Sequence, residues 1–517
     1  MLILQYCIIA PQKAVVAGIS RTRKSAWTFL SQLLFAMVTT TLAVVATPLL
    51  LRYLGEERFG AFRVMVDWVG YIALLDLGLS GGLIGCLGRA IARADRTAVH
   101  SIISASLRMF CRLSVGMLIA GLVLAAFAPR LVASQTLTSY EIRTATLIMV
   151  IPSLAVPLAV FRSLLECQQR GYILNCLLIV QSVGTVGLSL ACAAAGWGLV
   201  GQAVGTVLGQ LPLVAFLFLT GVRNYPGIWR ICPDRQAVQQ FRSLNWPTFW
   251  FTLSGRIAFF SDNILIGFLI GPAAVAPFYL TQRFAGLIQV QLQAVGNSTW
   301  AGLVELHTSN AEAFKQRLVE LTEMVSGLGL VCIGPIVAYN PHLLRLWVGN
   351  AGFAGDAVST LACMNVWLSA ICSLWGWPIT GVGEIRRLLP YVVLSTVINV
   401  MASLLCTFKL GLIGPLLGTM IAFAAISSWA IPRVLQNVFG IDPKRLWFAA
   451  LSPFAWALPN GLLWWWLARN HRPNNWAMLG VEIMAAATSF LVLWWIVQLS
   501  PAQRAVWHHR FRLAFQL

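Results

Sequence analysis

The sequence predicts an all-α polytopic membrane protein, and three observations carry that prediction. Of 517 residues, 58% are hydrophobic and only 10% charged, whereas soluble domains carry roughly 25% charged residues. The mean hydropathy is +0.78. Apolar runs of about 20 residues, the length that crosses a hydrocarbon layer of ~30 Å, recur from one end to the other. A single soluble core of this size is excluded, because cores stop growing near ~300 residues and split into domains.

Fourteen spans follow in order: 26–51, 64–87, 108–128, 144–161, 173–195, 199–222, 246–270, 275–300, 321–339, 357–382, 388–408, 410–432, 446–468 and 476–499. The third and fourth are the least regular, with Arg108 and Arg112 at one edge and Pro152 and Pro157 inside. Residues 1–20 carry their charges after a short apolar stretch, the reverse of a secretory signal. They read as a cytoplasmic extension, in solution or at the interface, or as a misassigned start. Segment 501–517 is a basic tail.

Lys and Arg in short loops are retained on the cytoplasmic side. With the N-terminus inside, most of the 36 basic residues fall in cytoplasmic segments, among them Arg235 and Lys315. The outward loops hold Arg52, Arg58, Arg63, Arg130, Arg143, Arg345, Lys409, Arg469 and Arg472. Both termini are therefore expected in the cytoplasm. The net charge of +19 is this topological signal plus attraction to anionic headgroups of membrane lipids, and it calls for no nucleic acid. The 11 cysteines include no C-x-x-C pair and mostly fall inside spans, where Cys acts as a small hydrophobe. No metal site, disulfide framework or cofactor is indicated. The six histidines sit in loops or tails, and the 21 tryptophans suit interfacial belts.

An internal repeat organises the chain. Gly198-Leu199-Val200-Gly201, then Gly205-Thr206, opens the sixth span, and Gly411-Leu412-Ile413-Gly414, then Gly418-Thr419, opens the twelfth. Leu54-Gly55, Phe59-Gly60 and Phe62 align with Ile270-Gly271, Val275-Ala276 and Phe278 at nearly the same shift. The chain is thus read as an N-lobe over 21–222 (helices 1–6), a basic cytoplasmic linker over 223–245 and a C-lobe over 246–435 (helices 7–12). An added pair of helices, 13 and 14, occupies 436–500. Each lobe begins inside and has an even number of spans, so the repeats are parallel, related by a pseudo-two-fold axis along the membrane normal. Glycines spaced by three and four are read first as helix-packing sites.

Charged residues inside spans are costly and mark functional sites by default. Arg256 and Arg283 lie within spans, with Asp262, Asp67 and Asp76 as their main acidic counterparts. Asp76 precedes a glycine-rich turn, which favours a helix-end or packing role. Asp262 and Arg283 each lie about 12 Å from the outer ends of adjacent antiparallel helices, and the repeat maps position 67 onto 283. One charged cluster of Asp67, Asp262 and Arg283 is expected, either an Asp67–Arg283 gate or a static Asp262–Arg283 pair. No P-loop, D-x-D, H-E-x-x-H or nucleophile elbow occurs. The chain is therefore not expected to be an enzyme, and an ion gradient (H+ or Na+) or substrate supply is left as the driving force. Transport is the leading class, since two-lobe membrane proteins carry substrate near the midplane between lobes.

The stretch Pro48–Leu51, Arg52-Tyr53-Leu54-Gly55, Phe59-Gly60 and Leu75-Asp76-Leu77-Gly78-Leu79-Ser80 resembles the opening of bacterial polysaccharide flippases. These belong to the multidrug/oligosaccharidyl-lipid/polysaccharide exporter superfamily. Asp262-Asn263-Ile264-Leu265-Ile266-Gly267, Gly271, Tyr279, Arg283, Leu346-Trp347-Val348-Gly349 and Gly411–Thr419 agree, so the resemblance covers about 21 to 440. It implies a transporter with a central cavity lined mainly by the first two helices of each lobe. It also implies alternating access that flips an undecaprenyl-pyrophosphate-linked oligosaccharide from the cytoplasmic to the periplasmic leaflet. Fourteen helices resemble the related lipid II flippase. Glycan polymerase or ligase machinery is the implied neighbour in polysaccharide biosynthesis, of the lipopolysaccharide kind. In that setting Arg283 and Arg256 are the expected substrate-binding residues, because guanidinium binds phosphate bidentately. Asp67, Asp262 and Asp76 are the coupling or gating residues. The competing readings are an ion-coupled multidrug/cation antiporter on the same fold, which wants a net acidic cavity, and a membrane glycan polymerase or ligase.

Overall fold

The computed structural model describes residues 21–73, 79–93, 95–132, 134, 136–228, 246–499 and 504. The extension 1–20, most of the linker and tail, Asp76 and Arg235 lie outside the described residues. Helices overlie the predicted spans, no strand occurs among the described residues, and the chain is a multi-pass membrane protein. Among the described residues ten helices are long and apolar enough to cross a membrane. That number counts 27–73 and 385–439 as one helix each and does not include 79–92, 246–269 or 272–309.

The chain divides into two compact units. One comprises 1–53, 75–125 and 144–245, the other 54–74, 126–143 and 246–517. The boundary falls first inside α1 (Arg21–Ala73), a helix interrupted only at Gly55, with φ 76° and ψ 168°. An L side chain resists that φ. The predicted loop over 52–63 is therefore corrected: the chain kinks at one glycine and resumes helix at once, which puts Arg63 on a helix.

The first unit contains α2 (Leu79–Ala92) and most of α3 (Arg96–Leu131). The carboxylate of Asp95 caps α3 by accepting from Ala98 N at 2.9 Å and Thr97 Oγ1 at 2.7 Å. Those donors hold its carboxyl below the usual range. The fourth predicted span is two helices, α4 (Ser139–Val150) and α5 (Ala159–Cys167), joined by a 3-10 stretch Ile151–Leu158. Pro152 and Pro157 remove backbone donors there, so the ladder tightens rather than continuing. Leu83, Leu87, Ile103, Leu107, Phe110, Val160 and Leu164 form the core that joins α2, α3 and α5. α6 (Gly171–Ala194) and α7 (Gly198–Asn224) meet at glycines: a Cβ on Gly205 would lie 2.6 Å from Ser189 N, and one on Gly209 would lie 2.4 Å from Thr185 N.

The second unit holds α8 (Trp246–Leu269), α9 (Pro272–Ser309), α10 (Ala311–Val348), α11 (Asp356–Gly381) and α12 (Ile385–Leu410). α13 (Gly414–Ala422) and α14 (Ser428–Phe439) follow, joined by a π-helical turn at Phe423–Ser427. The glycines of the second motif are again contacts: a Cβ on Gly414 would meet Thr407 N at 2.2 Å, and one on Gly418 would meet Ser403 N at 2.3 Å. Both glycine motifs therefore serve helix packing, as small residues do where lipid offers no hydrophobic drive. α10 reaches Val348 and α11 starts at Asp356, so the predicted loop 339–356 is far shorter. Buried hydroxyls bind the interior: Trp375 Nε1 donates to Thr322 Oγ1 at 3.0 Å, and Trp367 Nε1 to Ser326 Oγ at 3.0 Å.

The chain then forms α15 (Pro443–Leu451), α16 (Phe454–Asn470) and α17 (Trp476–Leu493). Ala468, Leu479 and Ala486 pack on Ala338 and Tyr339 of α10. Arg345 Nη2 donates to Pro473 O at 2.6 Å, and Gly334 faces the Phe490 ring with no room for a Cβ. The last helices are thus docked on α10 along its length.

Candidate functional site

Two glycines bring the second half of α1 against α8 and α9. A Cβ on Gly60 would lie 1.8 Å from Pro272 O, and one on Gly267 would lie 2.5 Å from Val64 Cγ2. Tyr71 Oη donates to Ile257 O at 3.2 Å. This close approach aims one face of α1, Arg63 and Asp67 at spacing i, i+4, into a cavity of about 600 Å³. Asp262 and Asn263 of α8 and Tyr279 and Arg283 of α9 line the same cavity.

Asp67 is 1% exposed, and its Oδ2 accepts from Asn263 Nδ2 at 2.8 Å. Arg63 places its guanidinium carbon 4.1 Å from the centroid of the Tyr279 ring, a cation–π distance. Arg283 Nη1 donates to Tyr279 Oη at 3.0 Å. Two guanidiniums thus converge on one phenol. The Nε groups of Arg63 and Arg283 and Oδ1 of Asp262 are buried without a hydrogen-bond partner among the described residues. Buried polar groups are paired in the great majority of cases, so this cluster is built for a partner or another arrangement.

Three of the five expected site residues, Asp67, Asp262 and Arg283, share the cavity. Arg256, on α8, is exposed and is not among the lining residues, and Asp76 lies outside the described residues. The expected ion pair is corrected: among the described residues neither Asp67 nor Asp262 is within salt-bridge distance of Arg283. An amide satisfies Asp67, and Tyr279 lies between the cations. Arg63 was missed because it was placed in a loop. The repeat that maps 67 onto 283 also maps 63 onto 279, and that signal, with the four-residue spacing to Asp67, could have found it.

Other polar groups of the second unit line the same cavity without charge. Gln289 Nε2 donates to Ser369 Oγ at 3.1 Å, Asn365 Nδ2 to Leu416 O at 2.8 Å, and Asn399 Nδ2 to Thr419 Oγ1 at 2.9 Å. No group of three or more metal-ligating side chains occurs among the described residues.

The fold has solved counterparts. A structure of the lipid II flippase MurJ in an inward closed conformation aligns over 90% of this chain and 98% of its own, with TM-score 0.67 and 11% identity. An inward-facing multidrug resistance MATE family transporter of the MOP superfamily aligns over 79% of this chain and 99% of its own, with TM-score 0.58 and 20% identity. At such identities the likeness is one of fold. A Salmonella typhimurium (strain LT2) protein named "Putative O-antigen transporter" is 21% identical over 190 residues, 36% of this chain and 43% of that protein. The matched stretch thus spans less than half of that relative. The model of the family described as "Polysaccharide biosynthesis protein" matches residues 22–300, more than half of the chain and inclusive of Arg63, Asp67, Asp262 and Arg283, and the chain belongs to that family.

Proposed function

We propose that this protein is a transporter that flips a lipid-linked saccharide across the membrane and makes or breaks no bond. The observation that carries the reading is the pair Arg63 and Arg283, converging on Tyr279 in a cavity between membrane helices with both Nε groups unpaired. Guanidinium is the side chain suited to a pyrophosphate, since its planar fork meets two oxygens at once. Asp67 and Asp262 line the same space, and a phosphate entering it competes with the Tyr279 phenol for the cations. That competition couples substrate arrival to rearrangement of the cluster. In this reading the substrate is an undecaprenyl-pyrophosphate-linked oligosaccharide, moved from the cytoplasmic to the periplasmic leaflet of the inner membrane. Alternating access of the lobes 21–222 and 246–435 carries it, with both termini inside and an ion gradient or substrate supply as the drive.

The MATE-like fold keeps a drug/cation antiporter as the rival, favoured by the two carboxylates. Binding separates them. Purified protein should bind undecaprenyl pyrophosphate and should not bind a lipophilic organic cation competitively with it. Binding of the cation alone would overturn the flippase reading.

A further inference from the structure

We infer that the uncharged part of the cavity is a sugar subsite, with Asn365 and Asn399 as acceptors for saccharide hydroxyls; this rests on the flippase reading and adds a specificity-determining surface to it. The cavity is electrically divided along its length. From Asp262 back to Ser254 on α8 is roughly 12 Å, and from Arg283 on to Gln289 on α9 is roughly 9 Å, at the helical rise per residue. Both steps lead away from the turn at Gly271. Thr396 Oγ1 lies 3.3 Å from Ser254 O, and Gln289 reaches Ser369. Ser254, Thr396, Gln289 and Ser369 thus form a neutral district offset from the arginines in a single direction, with Asn399 and Asn365 three and four residues nearer the arginines on their helices. The lining residues contributed by α11, α12, α13 and α14 include no charged side chain.

A pure acceptor fixes the orientation of one amide, and a hydroxyl partners the other. Leu416 O can only accept, so Asn365 must turn its NH2 toward it. Thr419 Oγ1 donates to Pro415 O at 3.1 Å and accepts from Asn399 Nδ2 at 2.9 Å. Each Oδ1 consequently points away from its partner, and both are buried without a donor among the described residues. The two residues are 7% and 3% exposed. A buried acceptor without a donor is expensive to maintain, and two in one wall mark where donors arrive. The donors must be neutral, because no carboxylate in this district offsets an ammonium, and an acyl chain brings none. Saccharide hydroxyls meet both conditions, since each donates and accepts.

The test titrates full-length protein in nanodiscs with two probes: undecaprenyl pyrophosphate, and the same lipid bearing one N-acetylglucosamine. Wild type should bind the sugar-bearing probe about ten-fold more tightly, the worth of one hydrogen bond. N365L and N399L should each lose that increment, with the loss confined to the sugar-bearing probe. N365S and N399S, which add no bulk, are read in parallel so that a packing defect in the leucine variants is recognised. Equal affinity of wild type for the two probes overturns the subsite, as does a serine-variant loss shared by both probes or absent from both. Failure of wild type to bind either probe overturns the flippase reading itself, a different result.

Discussion

Asp67 and Asn263 are joined by a 2.8 Å hydrogen bond from the amide Nδ2 to the carboxylate Oδ2, and that bond ties α1 to α8 in the wall of the cavity. A carboxylate 1% exposed would be prohibitive if left alone. The amide satisfies it without neutralising it, and Arg63 stands one helical turn away on the same face. The cluster keeps its charges separated by hydrogen-bonding groups.

A double-mutant cycle measures that link. Asp67→Ala and Asn263→Ala should couple by about 1.5–3 kcal/mol in unfolding experiments, as hydrogen bonds to charged groups do. The cycle between Asp67→Ala and Arg283→Ala should give a smaller coupling, because no ion pair joins them. A larger value for Asp67 and Arg283 would restore the direct gate.

Both cavity arginines should be required for export. Arg283→Ala and Arg63→Ala should each abolish transport of lipid-linked saccharide while expression stays intact. Arg283→Lys should keep a fraction, since lysine supplies the charge without the fork. Full transport by Arg283→Ala would remove that residue from the site.

Packing makes its own prediction. Gly60→Ala puts a methyl 1.8 Å from Pro272 O, where backbone rather than a flexible chain must give way, and should destabilise by about 1–3 kcal/mol or more. Gly116→Ala, on α3 with nothing within 4 Å of its added Cβ, should be neutral or mildly stabilising, as alanine is the better helix former. Thermal midpoints in detergent compare the two, and equal midpoints would contradict the close approach of α1 to α9.

Topology is tested in a cysteine-free background. Single cysteines at 345 and 472 should react with an impermeant thiol reagent in intact cells, and one at 315 should not. The reverse pattern would invert the membrane orientation.

The sequence alone determined that this is an all-helical membrane protein, because hydrocarbon forces each crossing segment to be long, apolar and internally hydrogen-bonded, and that demand is written into runs of about 20 residues. It also set Asp262 and Arg283 at comparable depth, since axial position in a helix follows from counting, and the repeat joined Asp67 to them. Hydropathy did not find Arg63, although the repeat that maps 63 onto 279 points to it. Hydropathy ends a span where charges begin, whereas the backbone at Gly55 turns once and re-enters helix, and only packing at Gly60 and Gly267 shows that the following face turns into the cavity. Nor could the sequence settle partners. Which side chain satisfies a buried carboxylate depends on helix rotation and contact distance, quantities set by neighbouring helices, so the tertiary structure gave Asp67 to Asn263 and left Arg256 off the cavity. The same holds for Asn365 and Asn399, which read as ordinary polar residues along their helices. Their unmatched oxygens appear only once α13 brings Leu416 O and Thr419 Oγ1 against the two amides.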